Sequence, residues 1–72
     1  MKMKRFILYR FVDVSGVSGE EEVAEGVQFS DGAVAIRWLG DRPSTVVWNN
    51  IEDAEFIHGH DGKTRVFWAV TD

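Results

Sequence analysis

Apolar residues along the chain fall into short runs divided by glycine, proline, aspartate and asparagine, and the runs are too short for amphipathic helices. The pattern predicts an all-β domain. Arg5 to Val12 sets Ile7, Tyr9 and Phe11 against Phe6, Leu8, Arg10 and Val12, so both faces of this strand are apolar and one is expected to meet something beyond the core. Residues 15–22 combine Gly16 and Gly19 with Glu20, Glu21 and Glu22, which predicts an exposed, mobile loop. Val23 to Ser30 and Ala33 to Leu39 flank Asp31-Gly32, the signature of a hairpin closed by a two-residue type I′ turn. Alternation within that hairpin assigns Val27, Phe29, Val34, Ile36 and Trp38 to the core.

Gly40 to Ser44 reads as a turn and Thr45 to Trp48 as a short β-branched strand. Asn49-Asn50-Ile51-Glu52-Asp53 offers an asparagine cap followed by carboxylates, which predicts one helical or 3₁₀ turn. A helix running on through Ile57 competes with the preferred continuation, a strand from Ala54 to His58. A loop from Gly59 to Lys63 and a last strand from Thr64 to Val70 complete the chain. Six short strands in meander order would leave two open edges, and closure into a small barrel removes them. The expected architecture is one domain over residues 1–72, an SH3-like or Sm-like meander barrel with one short 3₁₀ or helical turn.

Composition narrows the function more than the fold. At 72 residues with 44% hydrophobic and 28% charged positions, the chain has the make-up of a globular domain and not of a disordered one. No apolar run approaches a membrane span and no secretory leader is evident, so a cytoplasmic location is expected. The absence of cysteine excludes disulfides, thiolate metal sites and thiol catalysis. A net charge of −4 lacks the basic footprint of a duplex nucleic-acid binder, and no membrane partner is expected either. Basic residues gather instead at Lys2, Lys4, Arg5 and Arg10, where they would keep an edge strand soluble. Because so small a domain buries a limited fraction of its surface, homodimerisation is a natural supplement.

The blocks Val23-Ala24-Glu25-Gly26-Val27-Gln28-Phe29-Ser30-Asp31-Gly32, Arg37-Trp38, Pro43-Ser44-Thr45-Val46-Val47-Trp48, Ile51-Glu52-Asp53 and His58-Gly59-His60-Asp61-Gly62-Lys63-Thr64 occur in that order. In them the chain resembles a family of small proteins of actinobacteria and their bacteriophages, over roughly residues 13–68. The resemblance implies a phage or prophage setting and transfers no activity, cofactor or site. Glu20-Glu21-Glu22 departs from the family pattern.

Candidate chemistry is sparse. His58 and His60 stand at i and i+2 and would share one side of an extended strand, but a zinc site needs three or four ligands and only carboxylates such as Asp61 are at hand. The expected reading is a hairpin loop with no bound metal and no cofactor. Three tryptophans in so short a chain are an enrichment: Trp38 is expected in the core, with Trp48 and Trp68 at strand ends where an indole serves either packing or recognition. Phe67 alternates away from Trp68 and would form an apolar patch beside Tyr9 or Phe11. Arg37, Arg42, Ser44, Thr45, His58, Lys63 and Arg65 are the side chains suited to an anionic small molecule, without a glycine-rich phosphate loop to support them. The candidate partner or ligand surface is therefore Tyr9, Phe11, Arg37, Trp48, His58, His60, Lys63, Arg65, Phe67 and Trp68. With no coherent catalytic set, the expectation is a non-enzymatic protein-interaction module that modulates a host protein; the alternative is a small-ligand binder that sequesters an anionic nucleotide signal.

Overall fold

The computed structural model of the chain describes residues 2–11, 21–59, 62 and 64–70. Five strands, β1 (Lys4–Arg10), β2 (Glu21–Gln28), β3 (Val34–Trp38), β4 (Ser44–Trp48) and β5 (Thr64–Trp68), form one antiparallel sheet in the order β4-β3-β2-β1-β5. The one helix among the described residues, α1 (Ile51–His58), lies between β4 and β5 in the chain and packs against both. The all-β expectation holds. A ladder between β4 and β5 would close the ring into a barrel; among the described residues none is formed, and these two strands are the sheet's edges. The greasy, basic β1 is thus an interior strand between β2 and β5, and Lys4, Arg5 and Arg10 do not guard an edge.

The expected strand over Ala54 to His58 is the second half of α1. Asn50 is extended at φ −157°, and its Oδ1 accepts from the Asp53 amide at 2.8 Å, satisfying one of the donors a helix start leaves open. Glu52 and Asp53 in the first turn complement the helix dipole. The spacing that settles the matter is Ile51 and Ala54, three apart and both buried against the sheet, while Phe56 and Ile57 face outward. Two exposed apolar residues late in the run gave it the look of a strand.

The inner face of the sheet follows from the register. Phe6 pairs with Gly26 and Gly26 with Ile36; Leu8 pairs with Ala24 and Ala24 with Trp38. Phe6, Leu8, Ala24, Val34 and Ile36 are buried on this side together with Ile51 and Ala54 of α1, and Trp38, Trp48 and Val66 pack around them. Of the five hairpin residues expected in the core, Val34 and Ile36 are fully buried and Trp38 is half-buried, but Val27 and Phe29 belong to the opposite face. The reason lies in β2. Its inner positions are small because the Phe6 ring lies over Gly26, where a Cβ would come 2.7 Å from Phe6 Cε2 and 2.8 Å from the Ala35 carbonyl oxygen. The register shifts between Leu8 and Tyr9, leaving Val23 as an extra residue that is buried beside Ala24. Large residues in β2 consequently do not mark its inner side.

The hairpin at Asp31-Gly32 is present with a longer loop than expected. Phe29 and Ala33 form the closing pair, the Phe29 amide donating to Ala33 O at 2.8 Å, and the Gly32 amide donates back to Phe29 O at 3.0 Å. Three residues, Ser30 to Gly32, make the turn, and only Gly32 at φ +98° needs the left-handed region, the pattern of a type I turn ending in a glycine bulge. Of the predicted mobile loop over 15–22, Glu21 and Glu22 open β2 and residues 15–20 lie outside the described residues.

Candidate functional site

Helix α1 covers one side of the sheet, and among the described residues no element covers the other. Pairing places Thr45, Arg37, Glu25, Ile7 and Phe67 in one row across all five strands on this outer face. A second row holds Val47, Ala35, Val27 and Arg5, continued past the end of β5 by Ala69, whose amide donates to Arg5 O at 2.8 Å. Between the rows lies a shallow groove of about 740 Å³, with Trp68 and Val70 at one end. Its volume is in the range of small-molecule sites.

The polar groups in the groove are few and of definite kinds. Arg37 Nη1 donates to Thr45 Oγ1 at 3.0 Å, a contact that holds the guanidinium over the outer face. Arg5 stands across β2 and lines the same groove, and Glu25 lies between them in register. Two guanidinium groups against one carboxylate give the groove a positive balance within an acidic chain. The walls are Ile7, Val27, Ala35 and Phe67. Beyond the groove the face continues as an aromatic cluster: Tyr9 and Phe11 have ring centroids 5.1 Å apart, and Phe11 and Phe67 5.8 Å.

The sequence-derived candidates divide between the two faces. Tyr9, Phe11, Arg37 and Phe67 lie on the outer face. Arg65 shares that face opposite Tyr9, but its Nε donates to Gly62 O at 3.0 Å, which holds it at the far end of β5 away from the groove. Trp68 pairs with Phe6 on the inner face, meets its ring edge-on at 5.2 Å, carries Lys4 Nζ at 5.9 Å from its own ring, and still reaches the groove end. Trp48 and His58 are on the helix side: the imidazole stands 4.8 Å from the Trp38 ring and 5.9 Å from that of Trp48, both edge-on. They are packing residues of the inner layer and take no part in the groove. His60 and Lys63 lie outside the described residues. Among the described residues no group of three or more His, Asp or Glu is placed to hold a metal ion.

Ile7, Glu25, Val27 and Ala35 were missed as site residues because nothing in their own strands distinguishes them. Their common feature is a cross-strand row, and only the β1–β2–β3 register reveals it. Among the described residues no helix is long and apolar enough to cross a membrane. A family model described as Acb5 phage protein matches residues 3–70 of the chain. No curated protein and no solved structure matches it.

Proposed function

The chain belongs to the Acb5 phage protein family, and from that premise we propose that it is a phage-associated binding protein whose working surface is the open face of its sheet. The observation that carries this reading is the groove: Arg5, Arg37 and the Thr45 hydroxyl around a floor and walls of Ile7, Val27, Ala35 and Phe67. Guanidinium groups take phosphate oxygens two at a time, and an apolar, partly aromatic wall suits a planar ring. Together they suit an anionic nucleotide, and the function we draw from this is capture of a nucleotide signal in the infected cell. The resemblance to actinobacterial phage proteins makes an actinobacterium the proposed host.

A second reading keeps one observation of its own. Tyr9, Phe11 and Phe67 extend the face past the groove, and exposed aromatic clusters beside arginine are typical anchors of protein interfaces. A host protein docked there would be modulated by occupancy alone.

The two are separated by incubating the purified protein with the small-molecule fraction of infected host cells, re-isolating it, denaturing it and identifying what is released by mass spectrometry. The ligand reading predicts a nucleotide-type anion released intact, and its loss with the Arg5→Ala/Arg37→Ala variant. Release of nothing from the wild-type protein would overturn the ligand reading in favour of the host protein. Recovery of a cleaved product would overturn simple capture and assign turnover.

A further inference from the structure

The outward side of a surface helix is ordinarily polar, and α1 departs from this. Ile51 and Ala54 are buried against the sheet, and the helical period turns Phe56 directly away from that pair and leaves it 81% exposed. Ile57, next to it, is 56% exposed. Glu52 and Asp53 stand four and three residues before Phe56, on its own side of the helix, and Glu55 is one step round; all three are exposed. The one basic side chain on α1 is His58, whose ring is turned to Trp38 and Trp48. The outward side of the helix is thus an apolar knob in an acidic collar.

The groove on the opposite face is its converse. Ile7, Val27, Ala35 and Phe67 wall a space of about 740 Å³, and Arg5 and Arg37 outnumber Glu25 among its charged groups. A phenyl ring suits an apolar groove that is itself walled in part by a phenyl ring, and carboxylates around the knob match a groove whose balance stays positive once Glu25 is counted. Knob and groove are therefore complementary in polarity, in size and in net charge.

We propose that Phe56 of one copy seats in the groove of a second copy, with the carboxylates of its helix toward the groove's arginines. Knob and groove lie on opposite faces of the sheet, so the second copy cannot return the contact to the first, and the pairing is head-to-tail. Copies then stack into short chains, α1 of each on the outer face of the next. Two apolar side chains and a charged rim make an interface below the roughly 1,200 Å² at which stable complexes begin, so association is expected to be weak and concentration-dependent. A seated Phe56 and a ligand in the groove exclude each other, but the contact does not depend on what else the groove binds.

Sedimentation velocity of the full chain, from micromolar to millimolar concentration, tests it. The wild type is expected to grow past the dimer with no plateau at two copies. Phe56→Ser removes the knob and Arg37→Glu reverses the charge of the groove, both at exposed positions, and each variant alone is expected to be monomeric with its melting temperature in place. Mixed, the two form a 1:1 dimer and nothing larger, because one keeps an intact groove and the other an intact knob. A wild type that stays monomeric or stops at a dimer overturns the proposal, and so does association that Phe56→Ser leaves intact or a mixture that stays monomeric.

Discussion

Replacing Gly26 with alanine tests the register that creates the open face. A methyl group there would meet two neighbours of unequal freedom: the Phe6 ring, with Cε2 at 2.7 Å, and the Ala35 carbonyl oxygen at 2.8 Å. Phe6 is 3% exposed and wedged edge-on against Trp68, so its ring has little room to withdraw. The carbonyl belongs to the backbone of β3 and moves only with its strand. Overpacking of this kind costs about 1–3 kcal/mol, against which alanine returns about 0.4–1 kcal/mol by restricting the unfolded chain. The net loss is expected at about 1–2 kcal/mol, or a fall in Tm of about 4–16 °C for a domain of this size. Thermal and urea unfolding followed by circular dichroism reads it. The decisive control is Phe6→Leu: in that background Gly26→Ala should cost less by at least about 0.5 kcal/mol, because residues in contact are not additive. Equal cost in both backgrounds, or a Gly26→Ala chain more stable than wild type, would refute the placement of the Phe6 ring over β2.

Asn50→Ala removes the helix cap and should cost about 0.5–2 kcal/mol in urea unfolding, accompanied by a loss of helical signal. Ile36→Val, at a fully buried centre of the sheet, should cost about 0.5–1.5 kcal/mol, whereas Phe56→Ser on the outward side of α1 should stay within about 0.5 kcal/mol of wild type. Thr64 is buried and its Oγ1 has no hydrogen-bond partner among the described residues, so Thr64→Val is expected to be neutral or stabilising by up to about 1 kcal/mol; a clear loss in the same assay would show that the hydroxyl is bonded.

The strands were legible where alternation, turn residues and β-branching agreed. β1, β3, β4 and β5 fall inside or within a residue of the runs that predict them, and the hairpin sits at Asp31-Gly32. Two things misled. Ala54 to His58 carries apolar residues on both sides of a run too short to show a helical period, and the decisive signal was the Asn50 cap upstream. In β2, size alone pointed Val27 and Phe29 inward, whereas a glycine roofed by a ring from another strand turned the small residues in. The candidate site was legible in its residue types but not in its grouping. Arg37, Phe67, Tyr9 and Phe11 share a face, while Trp48 and His58 serve the other, and sidedness across five strands depends on register and on the bulge at Val23.

The claim on which the rest depends is that the face opposite α1 is the working surface. Backbone amide shifts of the labelled protein, recorded by nuclear magnetic resonance while the small-molecule fraction of infected host cells is added, report it residue by residue. Changes are expected to concentrate at Arg5, Ile7, Glu25, Val27, Arg37 and Thr45, with Ile51, Ala54 and His58 unmoved. Shifts confined to α1 and the Trp38–His58–Trp48 side, with the groove silent, would contradict it.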